Sequence, residues 1–187
     1  MTFQQQLNAF VPYNEQEASD QDLFVRYLAQ FDDLYTRENP LAHLTASCWI
    51  VNPRRDKVLM AYHKLYDSWA WLGGHADGQH NLLQVALKEG REEAGIQQLR
   101  PLQEDIFSLE VLGVNPHVKK GRFISAHLHL NVTYLFEASE EQALFCKPDE
   151  NSAVAWFETD RLLAAVSEPQ MHPIYQKLMD KVRLFPK

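Results

Sequence analysis

The stretch WLGGHADGQHNLLQVALKEGREEAGI, residues 71–96, opens on two glycines and closes on Glu-Glu-Ala-Gly-Ile. Between them, residues 82–94 carry the signals of one helix. Asn81 stands where an N-cap is wanted, and Gln84, three residues on, completes a capping box. Leu83, Ala86 or Leu87, Gly90 and Ala94 form a core stripe at helical spacing. Gly95 sits where a left-handed residue ends a helix, with apolar Ile96 behind it. Glu89 precedes Glu92 by three residues and Glu93 by four, so the three carboxylates are neighbours on one surface. Like charges so placed cost about 0.2–0.5 kcal/mol per pair. The C-terminal end of the helix dipole disfavours each anion by roughly 0.3–1 kcal/mol more. Taken alone, such a triplet also reads as a solvated acidic face. A hard divalent cation would reverse the sign, because Mg²⁺ takes carboxylate and water oxygens together with substrate phosphates.

Working outward, the 187 residues favour one domain with a substantial core, and 45% hydrophobic with 23% charged residues is the composition of a globular protein. The net charge of -7 argues against nucleic acid or an anionic membrane surface as partner. The only basic run, Lys119-Lys120-Gly121-Arg122, reads as a solvated hairpin loop or as a phosphate contact. Cys48 and Cys146 lie far apart among apolar neighbours, with neither metal nor disulfide spacing, which points to a cytoplasmic setting. The start of the chain lacks the features of a signal peptide, and no run is long and apolar enough to span a membrane.

Residues 14–36 read as helical, with Ser19 and Asp22 as capping box ahead of Leu23, Tyr27, Leu28 and Phe31. Asn39-Pro40 ends that unit, so residues 1–40 form an N-terminal helical extension and residues 41–187 the main domain. Residues 44–51 and 58–63 make a hairpin about a turn at 52–56, and a short strand at 69–72 leads into a Gly73-Gly74 turn. Strand-rich runs follow at 106–114, with Glu110 pointing outward, at 124–136 and at 153–157, and then helices at 160–166 and 169–183. This order predicts a mixed β-sheet between helices, an α/β or α+β domain.

Here a family resemblance becomes specific. Residues 74–96 resemble the Nudix box, G-x5-E-x7-R-E-U-x-E-E-x-G-U, where U is a bulky apolar residue. Gly74 matches its first glycine, Gly95-Ile96 its closing pair, and Glu89, Glu92 and Glu93 its three acidic positions. The likeness extends over about residues 43–165, where PDENSAVAWFETDRL (148–162) is similar to the stretch before the last helix of the family. The resemblance implies an α/β/α sandwich. It also implies hydrolysis of a nucleoside diphosphate linked to another moiety, using Mg²⁺ or Mn²⁺ held by Glu89, Glu92 and Glu93 with the backbone near Gly74. Three positions depart from the box: His80 replaces a glutamate, Lys88 an arginine, and Gly90 a bulky apolar residue. In the family the first two brace the metal-binding helix. Lys88 keeps a charge four residues before Glu92 but lacks the bidentate fork of arginine. Gly90, on the core stripe, fits where the backbone must pass close to a neighbour.

The expected proton acceptor for the attacking water is Glu92 or Glu93, or Glu150 from the loop before the 153–157 strand. Glu150 reads equally as a simple loop carboxylate. His127 and His129 alternate on one strand face and, with His117 and His75, form a candidate substrate-contacting group; a half-polar strand face is the plainer alternative. The substrate expected is a small nucleoside diphosphate derivative, and the oligomeric state, a homodimer included, is open. Two rival functions stand beside hydrolysis: a nucleotide- or metabolite-binding module without turnover, suggested by the altered box, and a protein adaptor using the N-terminal helix.

Overall fold

The computed structural model describes residues 1–119 and 121–186, so Lys120 of the basic run lies outside the described residues. Two helices, α1 (Phe3–Ala9) and α2 (Glu15–Gln30), precede strands β1 (Ala42–Val51), β2 (Lys57–His63), β3 (Ser68–Ala70) and β4 (Leu72–His75). Helix α3 (Leu82–Ala94) follows, then β5 (Arg100–Pro101), β6 (Ser108–Val114), β7 (His117–Lys119), β8 (Arg122–Ile124), β9 (His127–Glu137) and β10 (Asn151–Glu158). A short α4 (Leu162–Ala165), a single 3₁₀ turn and α5 (His172–Leu184) close the chain.

Eight strands form one mixed sheet with the path β10-β2-β1-β9-β5. β1 and β9 run parallel over ten registered pairs, from Ala42 with Leu128 to Val51 with Glu137. The other pairings in the sheet are antiparallel. β3 pairs with β2 and β4 with β1. The two glycines therefore lie within a strand, opposite Ala46 and Ser47, and not in the expected turn. A Cβ on Gly73 would stand 2.6 Å from Ser47 Oγ and 2.7 Å from Ala46 O, so glycine is needed where β4 passes β1.

Alternation along β1 sorts the two faces. Leu44, Ala46, Cys48 and Ile50 pack with Leu82, Val85, Ala86 and Ala94 of α3 and with Phe3, Leu7 and Phe24 of the N-terminal helices. Trp49 and Val51 pack on the other face with Tyr175, Leu178, Met179 and Val182 of α5. The result is the helix–sheet–helix sandwich expected.

The N-terminal reading needs correction. α2 starts at Asn14, whose side chain accepts from Glu17 N–H, and Ser19 lies inside the helix. Asn14 followed by Glu17 is the same type of cap signal as Ser19 with Asp22, and it comes first, just after Pro12. A separate α1, capped by Thr2 and Gln5, had no counterpart in the sequence reading. α2 also covers the free edge of β6: Gln16 Nε2 donates to Leu109 O (3.0 Å), and Asp20 accepts from Val111 N–H (2.9 Å).

Glu110 is fully buried, not outward as its sequence position suggested. It accepts from Lys177 Nζ (3.0 Å), Asn131 (2.9 Å) and Thr133 (2.8 Å). Its neighbour Glu17 takes Lys181 Nζ at 2.7 Å and Lys177 Nζ at 3.2 Å. Burial pushes the Glu17 carboxyl up, but the two ammonium groups more than offset this, and its pKa lies below the ordinary value.

Candidate active site

α3 forms where its local signals place it. Asn81 accepts from Gln84 N–H (3.2 Å), while Gln79 rather than Gln84 takes the Asn81 N–H. Gly95 closes the helix in the left-handed region at φ 70°. The apolar stripe is rotated slightly from the expected one: Leu82, Val85, Ala86, Gly90 and Ala94 are buried, whereas Leu83 and Leu87 are half-buried.

The same rotation buries one carboxylate of the triplet. Glu93 is 4% exposed; its Oε2 accepts from Gly73 N–H (2.9 Å) and its Oε1 from Asn151 Nδ2 (3.2 Å). Burial drives its pKa up to about 7, reinforced by Glu89 and Glu150 nearby, although the two hydrogen bonds oppose the shift. Glu89 is half-buried against Gly74: a Cβ on Gly74 would stand 2.6 Å from the Glu89 carboxyl carbon. Its pKa is also raised, first by burial and then by Glu92 and Glu150, against the pull of Lys147 and Lys88. Glu92 is exposed and pairs with Lys88 at 3.8 Å.

Glu150 sits in the turn before β10, within 3.0 Å of Lys147 Nζ, and its carbonyl accepts from Lys64 N–H (3.0 Å). The fold thus gathers Glu89, Glu93 and Glu150 from one helix and a distant turn. Lys147 and Asn151, which the sequence reading passed over, complete the group. Their signal was the KPDEN run (147–151) itself, which brackets Glu150 with a cation and an amide.

The departures from the box have visible consequences. A Cβ on Gly90 would lie 2.8 Å from Leu99 Cδ2 and 2.9 Å from Cys48 Sγ, so the helix lies too close to the sheet for a larger residue without repacking. The exposed His80 ring packs on Tyr35, centroids 4.1 Å apart, tying the box loop to the N-terminal segment. Arg37 reinforces that tie with a bidentate pair to Asp77, Nε to Oδ1 at 2.7 Å. Bracing at this end therefore comes from Tyr35 and Arg37, which the sequence reading placed in a separate extension.

The expected histidine group also assembles. His75 of β4 and His127 and His129 of β9 converge on one sheet face, with His117 6.3 Å from His127, ring to ring. His43 joins them and was missed. β1–β9 register places it opposite His129, a pairing between residues far apart in sequence.

A family model described as NUDIX domain matches residues 41–181. A search of curated proteins returns no match. Among solved structures, the chain is similar to a C. elegans Ap4A hydrolase (20% identity, 76% of this chain and 98% of that one, TM-score 0.57). It is also similar to a Nudix hydrolase from M. smegmatis (18%, 78% and 88%, TM-score 0.56). A third is the E. coli dihydroneopterin triphosphate pyrophosphohydrolase (16%, 81% and 97%, TM-score 0.53). At these identities the likeness is one of fold.

Proposed function

The chain belongs to the NUDIX domain family of phosphoanhydride hydrolases, and from that premise we propose that it hydrolyses a nucleoside diphosphate linked to another moiety, with Mg²⁺ or Mn²⁺ held by Glu89, Glu92, Glu93 and the backbone near Gly74. The observation that carries this reading is the state of Glu93. It is a buried carboxylate whose pKa is pushed to about 7 beside two further carboxylates. The donor chemistry suits the ion: Glu89 and Glu150 lie close enough to act on the Glu93 carboxyl, Gly74 leaves room for Glu89, and Asn151 Oδ1 is buried without a partner in the structure. When bound, the metal would neutralise the diphosphate and lower the pKa of a water.

The chain's own residues do the rest. Gly73 N–H and Asn151 fix the Glu93 carboxylate in one orientation. Water attacks phosphorus, the bridging P–O bond breaks, and the water proton passes to a carboxylate, for which Glu93 and Glu150 are the best-placed acceptors. Lys147, beside Glu150, adds positive charge at the rim where phosphate oxygens arrive. The two named neighbours above, an Ap4A hydrolase and a dihydroneopterin triphosphate pyrophosphohydrolase, name substrates that contain phosphoanhydride linkages. Two free thiols, Cys48 buried and Cys146 half-buried, suit a reducing cytoplasm, and no helix among the described residues is long and apolar enough to cross a membrane.

The test is product release from a panel of dinucleoside polyphosphates, nucleotide sugars and nucleoside triphosphates with Mg²⁺, Mn²⁺ or EDTA. Metal-dependent cleavage of at least one compound, abolished in Glu93→Gln, is the expected result. Binding of a nucleotide without cleavage under any metal would replace the enzyme with a binding module.

A further inference from the structure

Four histidines, His43, His75, His127 and His129, cluster on one face of the sheet. His43 and His75 have ring centroids 5.0 Å apart, His43 and His129 4.9 Å, and His75 and His129 4.9 Å. One ring nitrogen from each of these three can be chosen so that all lie within 4.8 Å of one another. The backbone fixes this grouping. His43 is registered with His129 across the parallel β1–β9 pair, and His75 lies opposite Thr45, one alternation along β1 from His43.

His43 is only 6% exposed, and neither of its ring nitrogens has a hydrogen-bond partner. The Asn39 carbonyl lies near enough to favour protonation slightly, but neither nitrogen meets it in hydrogen-bonding geometry. His129 Nε2 is buried without a partner as well. Leaving buried polar atoms unsatisfied costs about 1–3 kcal/mol each. A packed sheet face gains nothing from such an arrangement unless something else meets those nitrogens.

We propose that His43, His75 and His129 form a binding site for one borderline transition-metal dication, of the Zn²⁺ or Co²⁺ class, separate from the carboxylate site. Three neutral imidazoles with a remaining open position are the donor set such ions take, whereas Mg²⁺ prefers oxygen. Burial and the neighbouring rings hold His43 at about 4 and His129 at about 2, so both keep a lone pair at neutral pH. A tetrahedral ion with bonds of about 2.0–2.1 Å sets its nitrogens about 3.3 Å apart, so the rings need close by at most roughly 1.5 Å. The half-buried positions of His75 and His129 give an ion access from solvent. His127 stands at the rim, with Nδ1 2.9 Å from Ser125 O, and its ring lies 4.8 Å from His43 and 5.2 Å from His129.

The experiment is titration of the full chain with Co²⁺ and with Zn²⁺ at neutral pH in a large excess of Mg²⁺. Co²⁺ is followed by its visible absorption and Zn²⁺ by equilibrium dialysis. The expected result is one ion per chain, with intense visible bands of low-coordinate Co²⁺. Affinity should fall by about 100-fold or more in His75→Ala and in His129→Ala, beyond the roughly 10–100-fold typical of a supporting residue. Glu93→Gln should bind Co²⁺ as the parent does, which separates this site from the carboxylates. Circular dichroism of each variant checks the fold, and the half-buried His75 serves if the more buried positions fail to fold. The proposal is overturned if no Co²⁺ binds in excess Mg²⁺, if His75→Ala binds like the parent, or if Glu93→Gln abolishes binding.

Discussion

Among the described residues, two groups of buried carboxylates differ in their counter-charges. Glu17 and Glu110 are fully buried, and Lys177 and Lys181 meet them at 2.7–3.2 Å. Ser108, Asn131 and Thr133 supply further donors. That group joins α2, β6, β9 and α5, and its charges are matched. Glu93 and Glu89, by contrast, are buried or half-buried with Glu150 beside them, and the lysines nearby are Lys147 and the exposed Lys88. The first group ends with Glu17 held below its ordinary pKa and the second with Glu93 pushed to about 7. Burial alone therefore does not distinguish structure from function. What distinguishes them is whether the protein itself provides the cations.

The comparison breaks most easily at Lys177. Lys177→Met leaves Glu110 buried without its cation, and a loss of about 3–5 kcal/mol in unfolding free energy is expected from chemical denaturation. A loss below roughly 1 kcal/mol would mean that the matched group is not a structural unit.

The next effect follows from the sign of the Glu93 shift. Its folded pKa lies above the unfolded value, so the folded state binds more protons between pH 4.5 and about 7, and stability falls as pH rises through that window. The cost is complete above the folded pKa and amounts to about 3 kcal/mol. Glu93→Gln removes it, and Asn151 Oδ1, without a partner in the structure, can accept from the new amide once the Asn151 side chain flips. Without metal, the variant should match the parent near pH 4.5 and exceed it by up to about 3 kcal/mol at pH 8. Glu17 works in the opposite sense: its contribution is present above its unfolded pKa and is lost as pH falls through its lowered folded value.

A smaller effect concerns the seat of the acidic helix. Gly90→Ala should cost up to about 2 kcal/mol, because overpacking against Leu99 and Cys48 outweighs the gain of roughly 1 kcal/mol in helix propensity. A stabilised Gly90→Ala, read by thermal melting, would show that the contact relaxes freely. The smallest effect is at the rim. Lys88→Arg modifies an exposed pair now at 3.8 Å, worth at most about 0.5 kcal/mol, so hydrolysis should change by less than about two-fold.

The same contrast explains what was legible in the sequence. The acidic helix is contiguous and carries its own start and stop, so residues 82–94 could be read with Asn81 and Gly95 as caps, and the observed helix is Leu82–Ala94. The order of the main strands followed from alternation and turn residues. What escaped depends on pairing across the chain. Glu110 looked like an outward strand residue because Lys177 and Glu17, which bury it, lie 67 and 93 positions away in the sequence. His43 was passed over because only the parallel β1–β9 register brings it to His129. The Gly73-Gly74 pair looked like a turn because glycine marks both turns and close backbone approaches. The pairing of β4 with β1, with Ser47 and Glu89 packed against the two glycines, decides between them.

The most direct test is the response of unfolding to Mg²⁺ at pH 8 in the parent and in Glu93→Gln. An under-compensated carboxylate group predicts a parent that melts lower without metal and rises with Mg²⁺ to saturation. The variant should melt higher without metal, gain little from Mg²⁺, and hydrolyse at least about 100-fold more slowly. A variant that melts lower than the parent without metal, yet gains as much from Mg²⁺, would contradict the account.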